Sequence, residues 1–236
     1  MNLVVDVGNT RAKAAVFRQE ELCSVTHEID IEDLKTLLAE NKPEKVIISS
    51  VRDDTADFLE VLNEYDPLVL SHRTALPFSV NYCTPQTLGN DRRAAVAGAQ
   101  ALFPNTNCLI IDCGTCITYD ILSKEQGYMG GSISPGLHMR FQALHTFTSG
   151  LPLLTPEENV PVTGQNTRDG IESGVIHGII MEIEGLINHY SSKFVELRVI
   201  MCGGDTNFFE NKVKARIFAA PELVLRGLNT ILHHHA

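Results

Sequence analysis

Apolar residues along this chain fall into two kinds of pattern. Short β-branched runs end abruptly in an acid and a glycine, and longer stretches repeat at helical spacing. The first run, Leu3-Val4-Val5, is followed by Asp6-Val7-Gly8-Asn9-Thr10, and the second, Leu109-Ile110-Ile111, by Asp112-Cys113-Gly114-Thr115. The two lie 106 residues apart, and each is followed by another apolar run, Ala14 to Phe17 and Ile117 to Leu122. Strand, tight glycine turn and returning antiparallel strand is the structure this pattern predicts.

A second matched pair supports an internal duplication. Lys45-Val46-Ile47-Ile48-Ser49-Ser50 precedes a helical pattern over Asp54 to Asn63, and Arg198-Val199-Ile200-Met201-Cys202 precedes another over Asn207 to Val213. Strands alternating with helices after each hairpin predict α/β layers with parallel pairing. The second half is longer between its landmarks. Its insertion includes Ile171, Val175, Ile179, Ile183, Leu186, Ile187 and Tyr190, which predict an amphipathic helix over 168–191. Gly170, Gly174 and Gly178 form a smooth stripe on that helix, suited to close backbone approach by a neighbour in this chain or a partner subunit. Gly89 to Phe103 predicts a further helix with acid at its start, where the helix dipole favours it. Segment 150–167, with three prolines and two glycines, reads as a mobile loop. The expected division is 1–105 and 106–236.

Composition narrows the class. The 236 residues are 44% hydrophobic and 20% charged, ordinary for a globular protein, with a formal net charge of −10. That charge argues against a nucleic-acid binder, which needs clustered Lys and Arg. Asp6 interrupts the first apolar run, so neither a signal-peptide core nor a membrane span is expected. Six cysteines with no secretion signal imply reduced thiols and a cytoplasmic location. The terminal His233-His234-His235 is set aside as a tail without function.

Candidate chemistry centres on the two turns. Glycine lets main-chain N–H groups approach a phosphate closely. Asn9, Thr10, Arg11 and Lys13 add donors and charge, and Asp6 and Asp112 are placed to hold a cation against phosphates. One such motif alone is more often a plain hairpin; two in matched contexts point to a cleft with the turns facing each other. A lysine-bearing phosphate loop and a dinucleotide fingerprint are both missing from the sequence. Cys113-Gly114-Thr115-Cys116 has redox spacing but sits in a strand turn, and no second ligand pair accompanies it, so both cysteines read as small fillers. Gly89-Asn90-Asp91-Arg92 would put a carboxylate and a guanidinium on one exposed helix start, either as a proton acceptor with a charge neutraliser or as an acidic cap with a surface Arg. Gly130-Gly131-Ser132-Ile133-Ser134-Pro135-Gly136 is either pocket wall or structural turn. Asn166-Thr167-Arg168 reads as a helix cap, with a ligand role equally open.

Taken together, Asp6 to Thr10, Leu88 to Arg92, Asp112 to Thr115 with Thr118, Gly130 to Gly136, and Thr167-Arg168 with Ser173-Gly174 resemble, in order, the motifs of the type III pantothenate kinases. These belong to the acetate and sugar kinase, heat-shock protein and actin superfamily. The resemblance implies a duplicated actin-like (ribonuclease H-like) α/β fold, two βα domains with an active-site cleft between them. It implies ATP-dependent phosphorylation of pantothenate to 4′-phosphopantothenate in the cytoplasm, the first step of coenzyme A synthesis. Asp91 would be the catalytic base. Tyr82, Gly89, Asn90, Asp91, Arg92 and Thr167 would bind pantothenate, Thr167 across a homodimer interface. Asp6, Val7, Gly8, Asn9, Thr10, Arg11, Ala12, Lys13 and Thr115 would bind ATP. Asp112 would bind a monovalent cation (K+ or NH4+), with Mg2+ accompanying the nucleotide. Gly203-Gly204-Asp205 looks like the superfamily's adenosine-side turn. The family pattern departs at Asp169-Gly170, where an Ala usually begins the helix. The alternatives are a catalytically silent regulatory relative that binds nucleotide, or a superfamily kinase acting on another small hydroxyl or acid.

Overall fold

In the computed structural model, which describes residues 1–8, 11–50 and 55–235, the chain forms two five-stranded sheets, each carrying its own helices. The first half runs β1 (Asn2–Val7), β2 (Ala12–Arg18), β3 (Glu21–His27), α1 (Ile31–Asn41), β4 (Lys45–Ser50), α2 (Ala56–Leu62), β5 (Leu68–Val69) and α3 (Asn90–Leu102). The second runs β6 (Cys108–Cys113), β7 (Cys116–Ser123), β8 (Gly127–Pro135), α4 (Leu137–Thr146), α5 (Thr167–Ser191), β9 (Arg198–Cys202), α6 (Thr206–Phe209), β10 (Phe218–Ala219) and α7 (Leu223–His234). Strand order is β3-β2-β1-β4-β5 in one sheet and β8-β7-β6-β9-β10 in the other. Matching each strand to its counterpart gives the same order twice, so the duplication read from two motif pairs extends to the whole sheet.

β1 pairs antiparallel with β2 and parallel with β4, and β6 pairs parallel with β9. β1 is apolar without alternation because both its faces are covered. Leu3, Val5 and Val7 face Leu34, Leu38 and Leu62 of α1 and α2, whereas Val4 packs with Ala94, Ala97, Leu225 and Leu228 of α3 and α7. In the second half, Leu109, Ile111 and Cys113 pack against Phe141 of α4 and Ile176, Ile179 and Ile183 of α5.

The chain divides into two compact units, and the division is not a single cut. One unit comprises residues 1–105, 122–130 and 222–236, the other 106–121 and 131–221. Helix α7, which the expected division grouped with the second half, packs with the first unit. There α3 and α7 cross at backbone contact: a Cβ on Gly227 would collide with the Ala94 carbonyl and stand 2.8 Å from Gly98 N. Asn2 Nδ2 donates to Asn229 Oδ1 at 2.9 Å, and Asn229 Nδ2 to the Gln19 carbonyl at 2.8 Å, so the polar groups buried where α7 lies over β1 are paired.

Three expectations are adjusted. The helix expected over Asn207 to Val213 is only Thr206–Phe209. The start of the pattern at Asp54 lies outside the described residues, and its helix is Ala56–Leu62. Segment 150–166 has no helix or strand, yet it is stapled to its neighbours: Ser173 Oγ donates to the Val162 carbonyl at 2.5 Å, His177 Nε2 contacts the Val160 carbonyl at 2.9 Å, and His145 Nδ1 the Leu151 carbonyl at 2.8 Å.

Candidate active site

In the first unit the acid turn lies at the end of β1. Asp6 pairs across β1–β2 with Lys13 and across β1–β4 with Ser49. Gly8 N donates to the Arg11 carbonyl at 3.1 Å and so closes the turn. Asn9 and Thr10 lie outside the described residues. Val7 and Ala12 are buried sheet residues, so any part they play is through main chain. Arg11 is exposed and ion-paired with Glu28.

Burial, and then the neighbouring Asp91 carboxylate, push the Asp6 carboxyl up to about 6, while Ser49 and Lys13 pull it down. Ser49 is fully buried, and its hydroxyl falls short of a full hydrogen bond with any described residue. Two carboxylates held close at the carboxyl end of a sheet are an oxygen donor set that suits a hard cation.

Asp91 stands on the first turn of α3, with Gly89 as N-cap. Its Oδ1 accepts from Arg92 N at 2.8 Å and lies back over Gly89, where any Cβ would collide with it. Asn90 Nδ2 donates to the Leu70 carbonyl at 2.9 Å and to that of Ser50 at 3.3 Å. Its side-chain amide thus anchors the helix start to the ends of β4 and β5. Arg92 is buried, and Tyr82 is half-buried with its ring 6.0 Å from that of Tyr128. Asp6, Lys13, Asp91 and Asn90 are therefore drawn together within this unit.

In the second unit the corresponding turn is built from backbone. Gly114 N donates to the Cys116 carbonyl at 3.1 Å, and Gly136 N to the Thr115 carbonyl at 3.1 Å. A Cβ on Gly136 would strike the carbonyl of Gly114 and stand 2.5 Å from that of Thr115, so only glycine lets the start of α4 lie on the turn. On the other side Gly203, at φ +91°, lies against Asp112 Oδ1, and Asp205 N donates to the Cys113 carbonyl at 2.9 Å. Gly136 and Gly203 to Asp205, weak signals in the sequence, thus bracket the Asp112–Thr115 turn. Thr115 is exposed, Asp112 is half-buried, and Thr118 Oγ1 donates to the buried Asp120 Oδ2 at 3.2 Å. Burial raises Asp205, which His138 at 4.0 Å partly offsets. Burial and then Asp112 and Asp205 push the Cys113 thiol up, away from thiolate chemistry, as a filler should be.

Thr167 opens α5 behind its N-cap Asn166, whose Oδ1 accepts from Asp169 N at 3.0 Å. It lines a pocket of about 640 Å³ together with Pro135, Leu144, Leu151, Gly170 and Gly174. Arg140 also lines it, but its charge is spent: Nη2 donates to Glu182 at 2.6 Å and Ser134 Oγ at 2.7 Å. Burial alone would raise Glu182, yet the bonds from Arg140, Tyr119 and Ser134 hold it below the usual range. The pocket is therefore apolar in character and does not suit a phosphate.

Two sheets of identical order, each ending in an acid–glycine turn, define the class: a duplicated actin-like α/β protein. Among solved structures, a Baf family protein from Campylobacter jejuni, described as a transcriptional activator, superposes with TM-score 0.67 at 22% identity over 99% of this chain and 98% of its own. A ROK family glucokinase from Streptomyces griseus, solved with glucose and AMPPNP, gives 0.55 at 14% identity over 99% of both chains. At those identities the likeness speaks to the fold alone. The family model described as type III pantothenate kinase matches residues 2–189. Type III pantothenate kinases of Christiangramia forsetii and Cytophaga hutchinsonii are 45% and 42% identical to the chain, over 98% and 100% of both partners' lengths. The chain belongs to the type III pantothenate kinase family.

Proposed function

We propose that the chain phosphorylates pantothenate with ATP, giving 4′-phosphopantothenate and ADP, the first step of coenzyme A synthesis. The observation that carries this reading is Asp91: a carboxylate on the first turn of a buried helix, beside the Asp6 turn, within a full-length family match. Asp91 accepts the proton of the pantothenate hydroxyl as its oxygen attacks the γ-phosphorus, and the bond to ADP breaks. Asp91 Oδ1 is oriented by the Arg92 amide, which keeps the carboxylate from rotating away. Tyr82, Gly89 and Arg92 hold pantothenate. Asn90 serves the same subsite by fixing the helix start through its side-chain amide.

Residues Asp6 to Lys13 and Thr115 are assigned to ATP. Asp6 beside Asp91 would hold Mg2+ accompanying the nucleotide. Asp112 is assigned to a monovalent cation, K+ or NH4+. Bound cations supply neutralisation of the charge that spreads over the transferring phosphoryl group.

The surface of the second unit supports a homodimer. A Cβ added to Gly170 or Gly174 meets nothing within 4 Å, so these two positions of α5 leave room for a partner's side chains. In the same unit Met139 of α4, Phe147 at the end of α4 and Met181 of α5 are exposed. A partner subunit covering this face would bury them and bring Thr167 to the partner's pantothenate. Among the described residues no helix is long and apolar enough to cross a membrane, which accords with a cytoplasmic kinase.

The test is coupled ADP release with pantothenate, glucose or acetate as acceptor, in potassium and then sodium buffer. Release that depends on pantothenate and is faster in potassium is expected. Release with glucose or acetate alone would redirect the assignment to another superfamily substrate. Binding of ATP without turnover on any acceptor would favour the silent regulatory relative.

A further inference from the structure

Residues 83–87 are exposed and contain one short helical turn, Pro85–Thr87, yet they join Tyr82 to Gly89, both assigned above to pantothenate. Within the segment, Thr87 N donates to the Thr84 carbonyl at 3.0 Å and Thr87 Oγ1 to the same oxygen at 2.9 Å, which shapes the turn but ties it to nothing else. Among the described residues, the hydrogen bonds linking 83–88 to anything outside it both come from Arg93. Its Nε donates to the Leu88 carbonyl at 3.2 Å, and its Nη2 donates to the Pro85 carbonyl.

Arg93 is 2% exposed, and the hydrogen-bond acceptors it meets are main-chain carbonyls rather than a carboxylate. Burying a guanidinium is costly unless its fixed fork of donors is used. Nearby, Tyr128 is 1% exposed and lies against Tyr82, ring to ring. Asn81 N donates to the Tyr128 carbonyl at 2.8 Å, and Tyr128 N to the Ser79 carbonyl at 2.9 Å, so the chain entering the segment is zipped to the same tyrosine. Arg93 also follows Asp91 by two positions on α3, and its own N donates to the Gly89 carbonyl at 3.1 Å.

We infer that Arg93 is a positioning residue for the acceptor substrate: its fork pins the Pro85–Leu88 turn to α3, setting the distance between Tyr82 and Gly89–Arg92. It touches no substrate itself. The inference rests on the reading that pantothenate is held by Tyr82 and Gly89 to Arg92. The long stem and two-pronged head are both required, because the two carbonyls lie three residues apart along the turn. Lysine keeps the charge but offers a single point of attachment.

The full chain, its Arg93→Lys variant and its Arg93→Met variant would be compared by KM for each substrate and by hydrogen exchange resolved along the chain. Both variants are expected to raise the KM for pantothenate at least about tenfold, Met more than Lys, as loosening of a positioning contact does. The KM for ATP stays within about twofold, and faster exchange is confined to residues 82–90. Wild-type pantothenate KM and wild-type exchange in a folded Arg93→Lys protein would overturn the inference. Exchange that rises throughout the first unit, with both KM values rising together, would overturn it equally by making Arg93 a fold residue. If the unmodified chain released no ADP with pantothenate, the functional reading beneath would fall, and the exchange pattern over 82–90 would still decide whether Arg93 is the tether.

Discussion

The two halves present the same acid turn on the same five-strand order, and they have equipped it differently. In the first, Asp6 has Lys13 and Ser49 as sheet neighbours and feels a second carboxylate, Asp91, from α3. In the second, Asp112 has Cys202 at the position corresponding to Ser49, and glycines at 136 and 203 press against its turn where side chains would collide. One copy buries its acid beside a second carboxylate, and burial first, then Asp91, raises Asp6. The other has shed side chains so that backbone can approach backbone. Duplication supplied one scaffold, and the chemistry followed from which neighbours kept functional groups.

That contrast can be broken most severely at Asp91. Asp91→Asn should keep the fold and lower kcat by about 10²–10⁴-fold, the range for removing a general base, measured as pantothenate-dependent ADP release. A variant at wild-type rate would remove Asp91 from the chemistry. Next comes the glycine side. Gly203→Ala must place a Cβ at φ +91° into Asp112 Oδ1 and the Cys113 carbonyl. It should cost about 2 kcal/mol or more in denaturant melts and raise the KM for ATP. Gly204→Ala, with nothing within 4 Å, is the control and should fall within about 1 kcal/mol of wild type.

Asp6 gives the first half its pH signature. Its folded pKa is about 6 against an ordinary 3.8, so the native state without ligands binds that proton more tightly than the unfolded chain. Stability from this group is therefore present below about pH 4, falls as pH rises towards 6, and is level above. Asp6→Asn should flatten that window and be more stable than wild type at pH 7, by about 3 kcal/mol. Asp91→Asn should shrink the window, because Asp91 is the second cause of the rise. The smallest effect is expected at Arg11. Its exposed pair with Glu28 is worth little, so Arg11→Ala should change stability by less than about 1 kcal/mol, and a rise of a few-fold in the KM for ATP would sustain its assignment.

The repeated strand–turn–strand units were readable because a doubly covered strand must be apolar at every position and a tight turn must carry glycine. The long helix α5 was readable from its spacing of Ile and Val. Less was legible where tertiary context decides. Helix α7 has a clear apolar face, but nothing local says which sheet that face will cover. Its seat on the first unit depends on Gly98 and Gly227 meeting across 129 positions. Among site residues, the acids announced themselves by type and position. Ser49 and Arg93 did not, since one hides in a β-branched run and the other follows a more conspicuous arginine. The carbonyl partners of Asn90 could not be read locally, because Ser50 and Leu70 lie 40 and 20 residues away in the chain.

The most direct measurement is the mass of the product formed when the purified chain is incubated with ATP, magnesium, potassium and pantothenate, alongside Asp91→Asn. The account predicts phosphopantothenate and an equal amount of ADP from the wild type, and at most a trace from the variant. ADP without phosphopantothenate, or equal product from both proteins, would contradict it.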